Sequence, residues 1–403
     1  VGRGTLRRLL FQNLILNLAM LLGVAQVLVV HWVFAVALGR EGFGPLTGLG
    51  LAALLVVFNA LAAPRLRRAH RAGGWTGVAA RLYLESSVAV LLLGVGVALA
   101  WAAFLPFWGI AQVAGVGTET LYRAFRALSL AGVGGLGLVI LWGFSVGQAV
   151  VDRTRVRVQL PGLHPDLDGL RLVQISDLHI GNALDARRLE RMVERTNALD
   201  PDVIALTGDI FDFDPSQIEA GARRLAALRA RHGVYAVLGN HDHYTGAEAV
   251  ASGLARWAPN ITLLRDALVR LPLEEPLYLA GVDDPGRHWS ERRLDLPGLR
   301  AVAEARPHDG PTLLLVHRPE VFDQAARLGF PLVLSGHTHG GQLALPTPDG
   351  RYNLARFTTP FTRGLYRRNG STLYVNRGLG VGGPALRINC RREIATIRLL
   401  AKE

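Results

Sequence analysis

A single cysteine, Cys390, stands among 403 residues. No intrachain disulfide can form, and such usage fits a reducing compartment. Lysine is as scarce: Lys402 is the only one, so the positive charge is almost all arginine, which points to a high-GC coding bias. Acidic residues nearly vanish from positions 1–150, where Glu41, Glu85 and Glu119 face eleven arginines. That stretch carries +8 of the net +12, leaving +4 for the rest. A cationic excess beside apolar runs is a signature of membrane topology, not of a nucleic-acid groove, and no nucleic-acid partner is expected. Internal repeats and low-complexity tracts are also missing.

Half of the residues are hydrophobic and the mean hydropathy is +0.26, high for a purely soluble protein. The apolar residues gather in four runs, at 11–38, 46–63, 82–105 and 127–150. About 20 apolar residues cross a hydrocarbon core, so the runs predict four membrane spans. The first run is too long for the core of a cleaved signal peptide, lacks a small-residue cleavage site and is followed by three more. Arginines cluster at 3, 7 and 8, at 65–81 and at 153–157, while the two intervening loops are poor in them. Positive-inside bias then predicts a multi-pass membrane protein with the N-terminus, the second loop and the C-terminal part in the cytoplasm. Only His31 and Glu85 are ionisable within the runs, too few for a transport pathway, so the bundle reads as an anchor.

The texture changes near residue 152. Thr154–Leu160 alternates with period two, as a half-buried strand does. Short apolar runs at 170–175, 203–206, 234–238, 312–316 and 332–334 read as strands, with helical stretches near 185–198, 215–231 and 319–328. After 341 the pattern is mostly strand and turn. Strand–helix alternation predicts an α/β domain whose active-site loops lie at the carboxyl ends of the strands. The expected organisation is a four-span anchor over 1–151 and a catalytic domain over 152–403.

Five motifs sit where those strands end: Asp177-Leu178-His179, Gly208-Asp209-Ile210-Phe211-Asp212, Gly239-Asn240-His241-Asp242, Val316-His317 and Gly336-His337-Thr338-His339-Gly340. Taken singly, each has an ordinary explanation. Asp-x-His arises by chance, Gly-Asp is a common turn, and Asn-His-Asp can cap a helix starting near 246. As an ordered set they supply two Asp, one Asn and four His as candidate metal ligands, with His241 left for acid–base work. Such a cluster suits a pair of divalent ions that clamp both the attacking and the leaving oxygen of a phosphate ester. Mixed N/O ligation without thiolate favours manganese, iron or zinc over magnesium or calcium.

This ordered set resembles the calcineurin-like metallophosphoesterase superfamily over roughly 170–345. The stretches Leu160-Pro161-Gly162-Leu163, Leu167-Asp168-Gly169-Leu170 and Asn376-Arg377-Gly378-Leu379-Gly380 resemble its membrane-anchored bacterial branch of YkuE- and YaeI-like proteins. Members of that branch usually have fewer spans than four. The resemblance implies a two-sheet β-sandwich flanked by helices, in four layers. It further implies one metal on Asp177, His179 and His339, another on Asn240, His317 and His337, and Asp209 bridging them. His241 would protonate the leaving oxygen with Asp242 as its orienting partner, and Asp212 would hold the turn or orient a ligand. His243 and Arg377 are candidate substrate contacts. Two divalent ions, manganese first and iron or zinc next, are the expected cofactors.

The substrate class stays open at this stage. A phosphoester or pyrophosphate of a lipid at the membrane surface, of the UDP-diacylglucosamine type or a phospholipid, fits the spans. A soluble phosphodiester, nucleotide or phosphoprotein fits the same chemistry with the spans serving for location. A membrane sensor or transporter with a degenerate hydrolase-like domain is disfavoured, because all seven ligand positions are filled.

Overall fold

A computed structural model describes residues 14–72, 74–182, 184–286, 296–347 and 349–401. The arginines at 3, 7 and 8 and His288 lie outside the described residues, as do the side chains of Arg67, Arg68 and Arg71. The chain divides into two compact units, residues 1–142 and 143–403.

In the first unit, helices α1 (Leu14–Trp32, continued by a π-helical turn Val33–Ala37), α2 (Pro45–Ala72), α3 (Gly74–Val113) and α4 (Glu119–Phe144) follow one another. Each is long and apolar enough to cross a membrane. Helices α2 and α3 outrun the predicted runs at 46–63 and 82–105, and α3 carries Pro106 inside. Polar residues that interrupt the runs pair across helices. Asn59 donates to Gln26 Oε1 at 2.9 Å and accepts from the Tyr83 hydroxyl, tying α2 to α1 and α3. Trp32 Nε1 donates to Ser129 Oγ at 2.6 Å. Such bonds hold helices together where apolar burial supplies no driving force. Glu85 pairs with Arg81 one turn away at 2.9 Å. Trp101, inside α3, packs 4.8 Å from Phe125 of α4.

The second unit is a sandwich of two mixed six-stranded sheets. In the first sheet, β1 (Val151–Leu160) and then β12 (Arg392–Ala401) lie on one side of the parallel set β2 (Arg171–Ile175), β3 (Val203–Thr207), β4 (Val234–Val237) and β5 (Ile261–Leu263), beside β2. In the second, β10 (Gly364–Arg368) and β11 (Ser371–Val375) precede β9 (Leu332–Ser335), β8 (Thr312–Val316), β7 (Tyr278–Val282) and β6 (Ala267–Arg270). The central strands read as unbroken apolar runs because both of their faces are covered. Leu172, Val203, Ala205 and Val237 of one sheet meet Leu279, Leu313, Leu315 and Leu332 of the other in a fully buried core. Helices Ala186–Asn197, Ile218–Leu225 and Asn240–Trp257 belong to the outer face of the first sheet. Pro297–Glu304 and Phe322–Arg327 cover the second. These are the four layers expected. Strands β5 to β7 and the helix at 297 were not legible from the apolar pattern.

Candidate metal centre

All five motifs leave the carboxyl ends of β2, β3, β4, β8 and β9 and converge. Their backbone is unusual. Of eleven non-glycine residues with φ in the left-handed region among the described residues, Asp177, His179, Asp209, His337 and His339 are five. Such conformations cost free energy and persist where surrounding structure enforces them, often at functional sites. Glycine is required beside them: a Cβ on Gly239 would lie 2.2 Å from Asp209 Oδ1, and one on Gly336 only 1.9 Å from Ser176 Oγ.

Two donor clusters result. Asp177, His179 and His339 form one, Asp209, His317 and His337 the other. In the first, His179 Nε2 and His339 Nε2 are 3.0 Å apart, and His339 Nε2 is 3.6 Å from Asp177 Oδ1. In the second, His317 Nε2 lies 3.1 Å from His337 Nδ1. Asp209 Oδ2 faces both, 3.6 Å from His179 Nε2 and 3.1 Å from His317 Nε2. Asn240 is fully buried. Its two side-chain polar atoms and Asp177 Oδ2 make no hydrogen bond among the described residues.

Four buried carboxylates, Asp177, Asp209, Asp212 and Asp242, set the electrostatics. Burial works against charge on Asp209, but His317 and His241 outweigh it and hold this carboxyl well below the usual range. Burial lowers His317, and Asp209 more than reverses that, to about 10. His179 rises to about 9 because Asp212 and Asp209 likewise overcome its burial. His339 is held well below the usual imidazole range by burial and by the charges of His179 and Arg387. The pocket therefore demands positive charge among N and O donors placed to coordinate it. A pair of divalent cations fits this donor set.

Around the donors sits an orienting layer. His317 Nδ1 lies 2.8 Å from the Thr207 carbonyl, so its N–H donates there and Nε2 is turned to the cluster. Asp212 Oδ1 accepts from His241 Nδ1 at 2.6 Å, and Asp212 Oδ2 is 3.6 Å from His179 Nδ1. Burial is again outweighed by the two histidines, and the Asp212 carboxyl is lowered. The His241 ring is edged by Phe213 at 4.9 Å and Tyr244 at 5.3 Å.

Three residues have partners other than those expected. Asp242 does not orient His241. Asn240 opens a helical turn that a break at Gly246 (φ 117°) separates from the helix expected near 246, and within that turn Asp242 accepts from the backbone N–H groups of Gly239, Ile210 and Phe211 at 2.8–3.1 Å. Burial and Asp209 push it up to about 6 despite those donors. Asp212 takes the orienting position. Arg377 does not face the clusters; it pairs with Glu393 and Asp152, each at 3.1 Å. His243 Nε2 faces Asp283 Oδ1 at 3.2 Å rather than the donors.

Two residues were missed. Fully buried Arg387 lies 3.3 Å from His339 Nδ1 and donates to the Gly380 carbonyl at 2.7 Å. A lone arginine within Ala385-Leu386-Arg387-Ile388 was its only signal. Arg318, beside His317, makes a buried pair with Asp284 at 2.7 Å.

Comparison with known proteins agrees with this geometry. The family described as Calcineurin-like phosphoesterase matches residues 170–341, which include every donor above. The uncharacterized metallophosphoesterase Cj0846 of Campylobacter jejuni is 30% identical over 275 residues, 66% of this chain and 70% of that protein. This chain belongs to the calcineurin-like metallophosphoesterases. Metallophosphoesterase YkuE of Bacillus subtilis, also uncharacterized, is 28% identical over 69% of this chain and 94% of its own length. The Danio rerio transmembrane protein with metallophosphoesterase domain is 35% identical over 62% of this chain. The match spans 57%, little more than half, of that vertebrate protein.

Proposed function

We propose that this metallophosphoesterase is a membrane-bound hydrolase of a phosphoester or pyrophosphate bond in a lipid-linked substrate, of the UDP-diacylglucosamine or phospholipid type. Residues 1–151 anchor it in the inner membrane of a bacterium, and residues 152–403 act at the cytoplasmic surface, as in a YkuE- and YaeI-like branch. The observation that carries the hydrolytic reading is Asp209 Oδ2 between His179 Nε2 and His317 Nε2. One carboxylate facing two donor sets suits a bridging ligand, which imidazole cannot be. Asp177, His179 and His339 would hold one ion, Asn240, His317 and His337 the other, with manganese the first choice. Bound there, the ions supply Lewis-acid polarisation of the phosphoryl oxygens.

The chain's own residues do the proton work. Asp212 holds His241 through Nδ1, which leaves Nε2 to carry a proton to the leaving oxygen. Phe213 and Tyr244 edge the same ring and limit water around it. Replacing His241 by alanine is expected to keep both ions yet slow hydrolysis of esters with poor leaving groups by about 10²–10⁴-fold. A nitrophenyl ester, whose leaving oxygen needs little help, should lose far less. Asp212→Asn should reproduce that pattern more weakly. Equal losses on both ester types would refute the proton-donor role.

The membrane reading is supported by four apolar helices and by the named character of the Danio rerio relative. The expected topology places both ends in the cytoplasm. A fusion of alkaline phosphatase to the C-terminus should be inactive and a fluorescent-protein fusion bright; an active phosphatase fusion would overturn it. The lipid assignment is tested by purified, manganese-loaded full-length protein on lipid pyrophosphates and on matched soluble esters. Clear preference for the soluble esters would sink it.

A further inference from the structure

We infer that the segment 343–368 is a docking surface for an anionic phospholipid bilayer, an inference that rests on the membrane-bound reading above. Among the described residues from 143 onward, seven large apolar side chains are exposed, and five of them are Leu345, Tyr352, Leu354, Phe357 and Leu365. Phe357 is 76% exposed. A domain in water alone gains nothing from gathering such side chains in one segment, whereas scattered single ones are ordinary.

The segment is built, not slack. Leu345 N–H donates to the Tyr352 carbonyl at 2.8 Å. Buried Asn353 donates to the Gly350 carbonyl at 2.9 Å and to Thr362 Oγ1 at 3.1 Å. The 3₁₀ turn Leu354–Phe357 eclipses positions three apart, which sets Leu354 and Phe357 on one face. Thr338, between His337 and His339, donates to the Thr362 carbonyl at 2.6 Å. The apolar tips are thus fastened directly to the loop that carries two of the candidate metal ligands.

Charge selects the occupant. The segment holds five arginines against Asp349 alone; Arg351 pairs with Asp349 at 3.5 Å and Arg368 with Asp323 at 2.7 Å. Arg351 lies over the Tyr352 ring at 5.0 Å, and Arg356 and Arg367 are exposed. Apolar and aromatic tips interleaved with arginine match the depth profile of a bilayer surface, with apolar groups at the acyl boundary and guanidinium among phosphates. The tether is short as well. From Phe144, the end of α4, to Val151, the start of β1, the backbone reaches at most about 25 Å.

The test uses full-length protein in nanodiscs, with an environment-sensitive fluorophore on Phe357→Cys; native Cys390 is buried. A second label on Leu99→Cys, in α3, reports on membrane insertion. In nanodiscs containing phosphatidylglycerol, lipids brominated near the glycerol should quench the Phe357 label, and lipids brominated at mid-chain should quench the Leu99 label. Removing Arg356 and Arg367 together as glutamines should lower the docked-to-undocked ratio roughly 25-fold. Quenching at position 99 without quenching at 357 would overturn the docking surface and leave the membrane reading standing. Loss of quenching at both would overturn the membrane reading and the docking with it. A label at 357 untouched by lipid but crosslinking to a second copy would assign the surface to self-association and refute the proposal. Leu365→Cys repeats the measurement should Phe357→Cys misfold.

Discussion

Asp209→Asn is expected to cut hydrolysis by about 10³-fold or more, the scale of losing a group that stabilises the transition state, and to strip metal from both sites. The substitution is nearly isosteric, so packing survives. The lost charge is what matters, because Asp209 Oδ2 faces a nitrogen donor of each cluster. His337→Ala removes a donor from one cluster only and should leave one ion bound. Metal content by mass spectrometry separates the two variants: near zero ions per chain for the first, near one for the second. Two ions and near-normal turnover in Asp209→Asn would defeat the assignment.

The second large effect lies away from the donors. Arg377→Ala is expected to destabilise the second unit by about 3–5 kcal/mol, the cost of leaving a buried charge without its partner. Glu393 is almost fully buried and bonds Arg377, Thr154 and Tyr374. Burial would raise Glu393, but Arg377 outweighs it, and the carboxyl sits below its ordinary value of 4.5. A lowered carboxyl contributes stability that is present above its unfolded value and lost as pH falls through the folded one. The deficit of Arg377→Ala should therefore be full at pH 7 and shrink below pH 4.5, where the unpaired Glu393 is neutral. Thermal unfolding across pH measures this. A variant with unchanged stability and only a raised KM would restore Arg377 as a substrate contact.

The contrast between these residues shows what was legible in the chain. The candidate metal donors were legible because their motifs stand at the ends of apolar strands, four of the seven donors beside a glycine, a local pattern. The α/β class followed from the strand–helix alternation, whereas the four layers came from the family resemblance. Partner choice was not local. Asp242 is adjacent to His241, yet the helix turn beginning at Asn240 aims its carboxylate at backbone N–H groups. Asp212, 29 positions away, takes the imidazole. Arg377 looked like a phosphate ligand until β1 brought Asp152 from 225 positions away. Arg387 escaped notice because its partners are mostly carbonyl groups, which no sequence motif records. Asn59 and Gln26 read as flaws in apolar runs and are instead a bond between two helices.

The central claim is that two ions share Asp209 between two N/O donor sets. Anomalous diffraction from manganese-loaded crystals tests it most directly. The account predicts two peaks about 3.5–4 Å apart. One should be bounded by Asp177, His179 and His339, the other by Asn240, His317 and His337, with Asp209 between them. A single peak, or peaks outside these residues, would contradict it.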